Sequence, residues 1–200
     1  MNWSNMLSAT LVHLEITFIG VLIAVIIGLP LAAFMIGRDK LSRVVFAIVD
    51  LIQTIPTLAL LIFIMLILGL NDKTVIAGIA LYSLFPITRN AYVGLTSVEP
   101  GTIRAAKGIG MTDLQIFIKV RFPIAVPMIL TGIRLAIVSA LSIATTGVFI
   151  GAGGLGMLIW RGIQTRNTAM MLSGAVPVSL LAILFEYLIG YVEKKLSYKN

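Results

Sequence analysis

The sequence predicts an all-α protein threaded through a membrane, and three observations predict it. Hydrophobic residues make up 59% of the 200 residues and charged ones 12%, whereas a soluble domain is about 25% charged. There is no ionisable residue between Glu15 and Arg38, between Asp50 and Asp72, or between Arg134 and Arg161, and each gap is at least about the 20 residues that cross a bilayer. Basic residues gather instead in the segments between such gaps. Only helices and closed barrels satisfy every backbone group in lipid, and apolar runs of this length are helices.

Five spans account for the pattern, at about 10–37, 44–70, 74–93, 128–150 and 172–192. The first is an uncleaved span rather than a signal peptide, because "MNWSNMLSAT" lacks the basic residues of a leader. His13 and Glu15 fall at its outer start, where an interfacial position explains both. In the second, "DLIQTIPTLALL" sets Asp50, Gln53, Thr54 and Thr57 at i, i+3, i+4 and i+7, on one helical face. Pro56 should kink that helix or free a carbonyl. The third ends in "PITRNAY", with Arg89 and Asn90 placed to cap the helix or to gate a path.

The fourth span carries a weaker stripe of Ser139, Ser142, Thr145 and Thr146. Such faces either line a polar path or join helices by hydrogen bonds; the cost of an acid within a span favours the path for Asp50 and Gln53. The stretch "GVFIGAGGLGMLIWRG", 147–162, is compatible with an extended fourth span, a re-entrant turn or a short sixth span. A sixth crossing would move the carboxyl terminus outside against the charge bias, so five are retained, with Trp160 near the outer interface. On the fifth span Glu186 is an intramembrane acid, for which Arg134 is the expected partner.

With the amino terminus outside, Arg38, Lys40, Arg43, Arg89, Arg104, Lys107, Lys119, Arg121, Arg134, Lys194, Lys195 and Lys199 all fall toward the cytoplasm, leaving Lys73, Arg161 and Arg166 outside. Lys and Arg mark cytoplasmic connections, so this orientation explains the net charge of +7. Nucleic acid does not, since no basic stripe with interleaved aromatics is present. Cysteine is absent, which excludes disulfide and thiol chemistry. The scattered acids and single His offer no metal-ligand spacing, and no cofactor is expected. "GAGGLG", 151–156, matches a dinucleotide fingerprint in letters only, because an apolar helix precedes it and no acid follows before Glu186. No Walker sequence is present, so the chain should not hydrolyse ATP, and no nucleophile, base and orienting group cluster as an enzyme would need.

Between the third and fourth spans lies "RAAKGIGMTDLQIFIKVRFP", 104–123. Ser97, Glu99 and Pro100 start a short helix that Gly108 and Gly110 stop. Thr112 and Gln115 then form a capping box for a second helix through Val120, which Pro123 should end. The first helix presents Ala105 and Ala106 between Arg104 and Lys107, a surface that admits a partner's backbone closely and adds charge. The segment 94–127 is therefore expected to be a cytoplasmic docking loop within a single domain, 1–200.

Here the chain resembles the permease subunits of ABC importers, whose signature matches at Ala105, Ala106, Gly110, Val120 and Pro123. Arg104 stands where that family has Glu, and Phe122 where it has Leu. "QTIPTLALL", "LFPITRNAYVGL", "AAKGIGMTDLQ" and "IGAGGLG" resemble the osmoprotectant branch over about residues 10–195. The resemblance implies a type I importer fold in a prokaryotic cytoplasmic membrane, surrounded by lipid. It also implies two cytoplasmic ATPase subunits coupled through Arg104, Ala105, Ala106, Lys107, Gly110 and Pro123, a second permease that is a copy or a relative, and an external solute-binding protein. Glycine betaine, carnitine or choline would be the cargo, with an amino-acid importer such as one for methionine as the rival and a channel or secondary transporter as the other class. Asp50, Gln53, Thr54, Thr57, Asn90, Ser142 and Thr146 would line the path, selection resting mainly with the binding protein. Ending about eight residues after its last span, the chain is expected to rely on separate polypeptides for solute binding and regulation.

Overall fold

The computed structural model describes residues 3–197, and every regular element among them is helical. Lys199, one of the basic residues used above for orientation, lies outside these residues. Helix α1, Trp3–Met35, has 33 residues, about 50 Å at about 1.5 Å per residue. Helices α2 (Asp39–Thr54) and α3 (Thr57–Leu68) follow, then α4 (Asp72–Thr96), the short α5 (Pro100–Gly108) and α6 (Asp113–Ile116). A π-helical segment, Phe117–Arg121, joins α6 to α7 (Phe122–Thr146); a 3₁₀ turn, Gly147–Ile150, leads to α8 (Leu155–Gln164) and α9 (Thr168–Ser197).

Three helical runs are by themselves long and apolar enough to cross a membrane: Ser4–Met35, Asp113–Ile150 and Thr168–Ser197. The pair α2 and α3, bent by 100°, is long and apolar enough only when taken together. Helix α4, at 25 residues, reaches about 37 Å, and it carries Arg89 and Asn90 along with its apolar residues. It is the hub of the bundle. Val75, Ile79, Ile87 and Ala91 on it have no exposed surface, and it packs between α1 and α7, with α2 and α3 against it and α9 beyond α7.

Lipid tails are as apolar as leucine, so close backbone approach has to do what the hydrophobic effect does in water. Glycines supply it at the hub. A Cβ at Gly20 of α1 would lie 2.5 Å from Ile79, and one at Gly132 of α7 would lie 2.6 Å from the Pro86 carbonyl of α4.

Four expectations are corrected. The second span is not one helix: Ile55 and Pro56 both leave the helical region, with ψ of 126° and 135°, because proline disfavours the α conformation in the residue before it. Thr57 therefore sits on a different helix from Asp50, Gln53 and Thr54. Pro123 does not end the second connecting helix; helix runs unbroken from Asp113 to Ile150. Proline is tolerated in a first turn, and the preceding π turn, in which the Phe122 amide donates to the Phe117 carbonyl, resets the hydrogen-bond register at that point.

His13, expected at the outer start of the first span, has no exposed surface, because the glycine loop closes over it. Gly154, at φ +97°, passes so near that a Cβ there would stand 3.0 Å from His13 Nδ1. The stretch 147–162 is a 3₁₀ turn, that loop and α8, whose ten residues rise only about 15 Å and cannot cross. At this end Leu70 approaches Gly151 and Val12 approaches Gly153, whose amide donates to Asp72 Oδ1 at 2.9 Å. α5 and the start of α7 lie at the other.

Candidate functional site

Two sequence stripes that were read separately converge. Gln53 of α2, Thr57 of α3, Tyr82 and Pro86 of α4, and Ser139, Ser142 and Thr146 of α7 line one cleft of about 330 Å³. A ligand pocket is typically about 300–1,000 Å³, so the cleft is large enough for a small solute. Its wall offers hydroxyls, one carboxamide and an aromatic ring, with no carboxylate, ammonium or guanidinium.

The break at Pro56 creates this cleft and leaves the Ile55 carbonyl without a helical partner. The Tyr82 hydroxyl donates to it, answering the backbone group that proline strands. Thr146 spends its hydroxyl on the Ile143 carbonyl at 2.9 Å, so it presents mainly a methyl group. Thr54 likewise bonds the Leu51 carbonyl at 2.7 Å and is exposed outside the lining. Asn90 donates to the Pro86 carbonyl at 2.8 Å and stays out of the cleft. Asp50 lies outside it too, with an oxygen 3.4 Å from Arg89 Nη1.

Elsewhere in the bundle the expected partner of Glu186 is in place: Arg134 Nη1 is 2.9 Å from Glu186 Oε1, and Nη2 is 3.4 Å from Glu193. Among the described residues no group of three or more His, Cys, Asp or Glu could hold a metal.

At the opposite end from the glycine loop, α5 begins after Glu99 with Pro100 in its first turn. It closes with Gly110 at φ +85°, where the Gly110 amide donates to the Lys107 carbonyl at 3.0 Å and the Met111 amide to Ala106 at 3.1 Å. Only glycine adopts that conformation freely. The capping box also forms, the Thr112 hydroxyl accepting from Gln115 at 3.3 Å and the Gln115 side chain from Thr112 at 2.9 Å. Arg104, Ala105 and Lys107 are exposed, whereas Ala106, expected beside them on the surface, is 6% exposed and faces inward. Lys107 reaches Asp113 at 3.3 Å with both side chains in the open, a contact of little energetic weight. Glu99 and Arg104 both approach Gly101, at 3.4 and 4.0 Å from a Cβ placed there. Arg121 donates to the Leu95 carbonyl at 2.7 Å, tying the two stems on either side of α5.

Tyr82, the Asp50–Arg89 contact and Glu193 escaped sequence reasoning. Their signals were present: Tyr82, Pro86 and Arg89 recur at i, i+4 and i+7 on α4, and Glu193 lies seven residues after Glu186 on α9, spacings that share a helical face.

Residues 6–198 match the family model described as binding-protein-dependent transport system inner membrane component. The glycine betaine/carnitine/choline transport system permease protein OpuCD of Bacillus subtilis is 43% identical over 92% of this chain and 81% of its own. The carnitine transport permease protein OpuCD of Listeria monocytogenes is 41% identical over 92% and 83%. The osmoprotectant import permease protein OsmW of Salmonella typhimurium is 35% identical over 100% and 95%. Among solved structures, an inward-facing chain of the MetNI methionine ABC transporter superimposes with a TM-score of 0.86, covering 97% of both chains at 24% identity; that likeness speaks to the fold.

Proposed function

This chain belongs to the family of binding-protein-dependent transport system inner membrane components, and on that premise we propose that it is the membrane subunit through which an ATP-driven importer passes osmoprotectants of the glycine betaine, carnitine and choline type. The observation that carries the reading is the uncharged polar cleft formed where Gln53 and Thr57, on either side of the Pro56 break, face Ser139 and Ser142 of α7. An apolar bundle gains nothing in stability from an open hydroxyl-lined cleft, since unpaired polar groups in a span are costly.

Two permease subunits would enclose the path. Bacillus subtilis has two glycine betaine/carnitine/choline permease proteins, OpuCD at 43% and OpuCB at 35% identity to this chain, which supports a related rather than identical second subunit. The amino terminus lies outside and the carboxyl terminus in the cytoplasm, an orientation supported by the excess of Lys and Arg at the α5 end. ATP hydrolysis belongs to separate cytoplasmic subunits, which the segment 94–127 meets through Arg104, Ala105, Lys107 and the Gly110 corner; Ala106 supports that surface from beneath, and Pro123 starts the helix that receives the motion.

The test is uptake into proteoliposomes containing this subunit, a second permease subunit, the ATPase and the external binding protein. ATP-dependent accumulation of glycine betaine, carnitine or choline is expected. Accumulation driven by an ion gradient with the ATPase absent would overturn the reading, and uptake of methionine alone would replace the cargo. Because native cysteine is absent, single cysteines at 104, 105 and 107 should crosslink to the ATPase, and failure at every position would reject the docking surface.

A further inference from the structure

Asp50 and Arg89 meet one helical turn from the cleft, toward the α5 end. Asp50 shares a face of α2 with Gln53, and Arg89 shares a face of α4 with Pro86 and Tyr82. The pair thus flanks the cleft on that side. Their contact is loose: 3.4 Å, with side chains 47% and 50% exposed, where a charge-assisted bond of this kind closes to about 2.7–2.9 Å. Arg89 also stands 5.3 Å from the centre of the Phe46 ring and 5.7 Å from that of Phe85, within the about 6 Å at which a ring face attracts a cation. Together these groups offer a guanidinium fork, a carboxylate and two aromatic faces.

We propose that Asp50, Arg89, Phe46 and Phe85 form a transit site for a small zwitterion bearing an ammonium and a carboxylate, whose two ends exchange for the Asp50–Arg89 pair. The inference rests on the transport function proposed above and supplies the charged step that the uncharged cleft lacks. The Arg89 fork takes the solute carboxylate with two parallel hydrogen bonds. Asp50, released, faces the ammonium, and the rings offer it the negative faces they now offer Arg89. Each protein charge exchanges one partner for another, so no bare ion is left in the span while the solute moves on. A quaternary ammonium without a carboxylate engages only the Asp50 half.

The experiment compares uptake of glycine betaine, which has both groups, with uptake of choline, which lacks the carboxylate, by the complete importer. Arg89→Gln should lower glycine betaine uptake by about ten- to a hundredfold, the loss of a hydrogen bond to a charged group, and choline uptake far less. Asp50→Asn should lower both. The swapped double variant Asp50→Arg/Arg89→Asp restores a pair with its order reversed, and should remain impaired; it decides the matter where the wild type imports only one of the two solutes. Recovery of wild-type uptake in the swap, or equal losses of both solutes in Arg89→Gln, would make the pair a structural contact and overturn the site. A wild-type importer that accumulates neither solute would overturn the cargo reading itself.

Discussion

Among the described residues, two sets of opposite charges join helices of the apolar bundle, and they are built differently. Arg134 is 24% exposed and holds Glu186 at 2.9 Å and Glu193 at 3.4 Å, so one guanidinium ties two turns of α9 to α7. Arg89 is half exposed, meets Asp50 at 3.4 Å, and links α4 to the pair α2 and α3, which is bent by 100°. The first contact closes a fixed interface and the second lies beside a cleft. Charge within a membrane helix does not by itself mark the working part; how tightly each partner holds the other, and whether the surroundings are packed or open, separates the two.

The largest effect should come from breaking the tight set. Arg134→Met leaves two carboxylates near one another with no cation, and should cost about 2–4 kcal/mol, read as a lower midpoint of thermal unfolding in detergent. Tyr82→Phe tests the boundary between the two regions. It strands the Ile55 carbonyl at the bend and should cost about 1 kcal/mol, with a loss of uptake because the cleft wall is no longer pinned. Smallest in stability is Asp50→Asn, which should cost about 0.5 kcal/mol or less while still reducing uptake. A double-mutant cycle sharpens the contrast: coupling between Arg134 and Glu186 should exceed that between Asp50 and Arg89 by about 1 kcal/mol or more. Equal couplings would erase the distinction.

Where a structural rule acts within one or two turns, the sequence was readable. Thr112 and Gln115 form the box their spacing demands, Gly108 and Gly110 close α5, and Gln53, Thr57, Ser139, Ser142 and Thr146 of the two stripes face a cleft while Asp50, Thr54 and Thr145 do not. The Arg134–Glu186 pair was also within reach, because a span must find a partner for an isolated acid and few cations lie at the right depth. What stayed hidden depends on which helices are neighbours. Arg89 and Asp50 are 39 residues apart, and no local pattern relates them; His13 looks like an interfacial residue until the glycine loop is laid over it. Pro123 reads as a stop by rule, yet the π turn over Phe117–Arg121 carries the helix through it. Ala106 looked exposed because its helix is short and polar, and only the folded chain shows which side of it turns inward.

Because helix continues through Pro123 instead of ending there, the run from Asp113 to Ile150 is a single beam of about 57 Å, strapped near its α6 end where Arg121 grips the Leu95 carbonyl. Further along, the same beam is fastened to α4 where Gly132 meets Pro86 and to α9 where Arg134 meets Glu186. One continuous helix therefore carries both the capping box beside α5 and the Ser139 and Ser142 hydroxyls of the cleft.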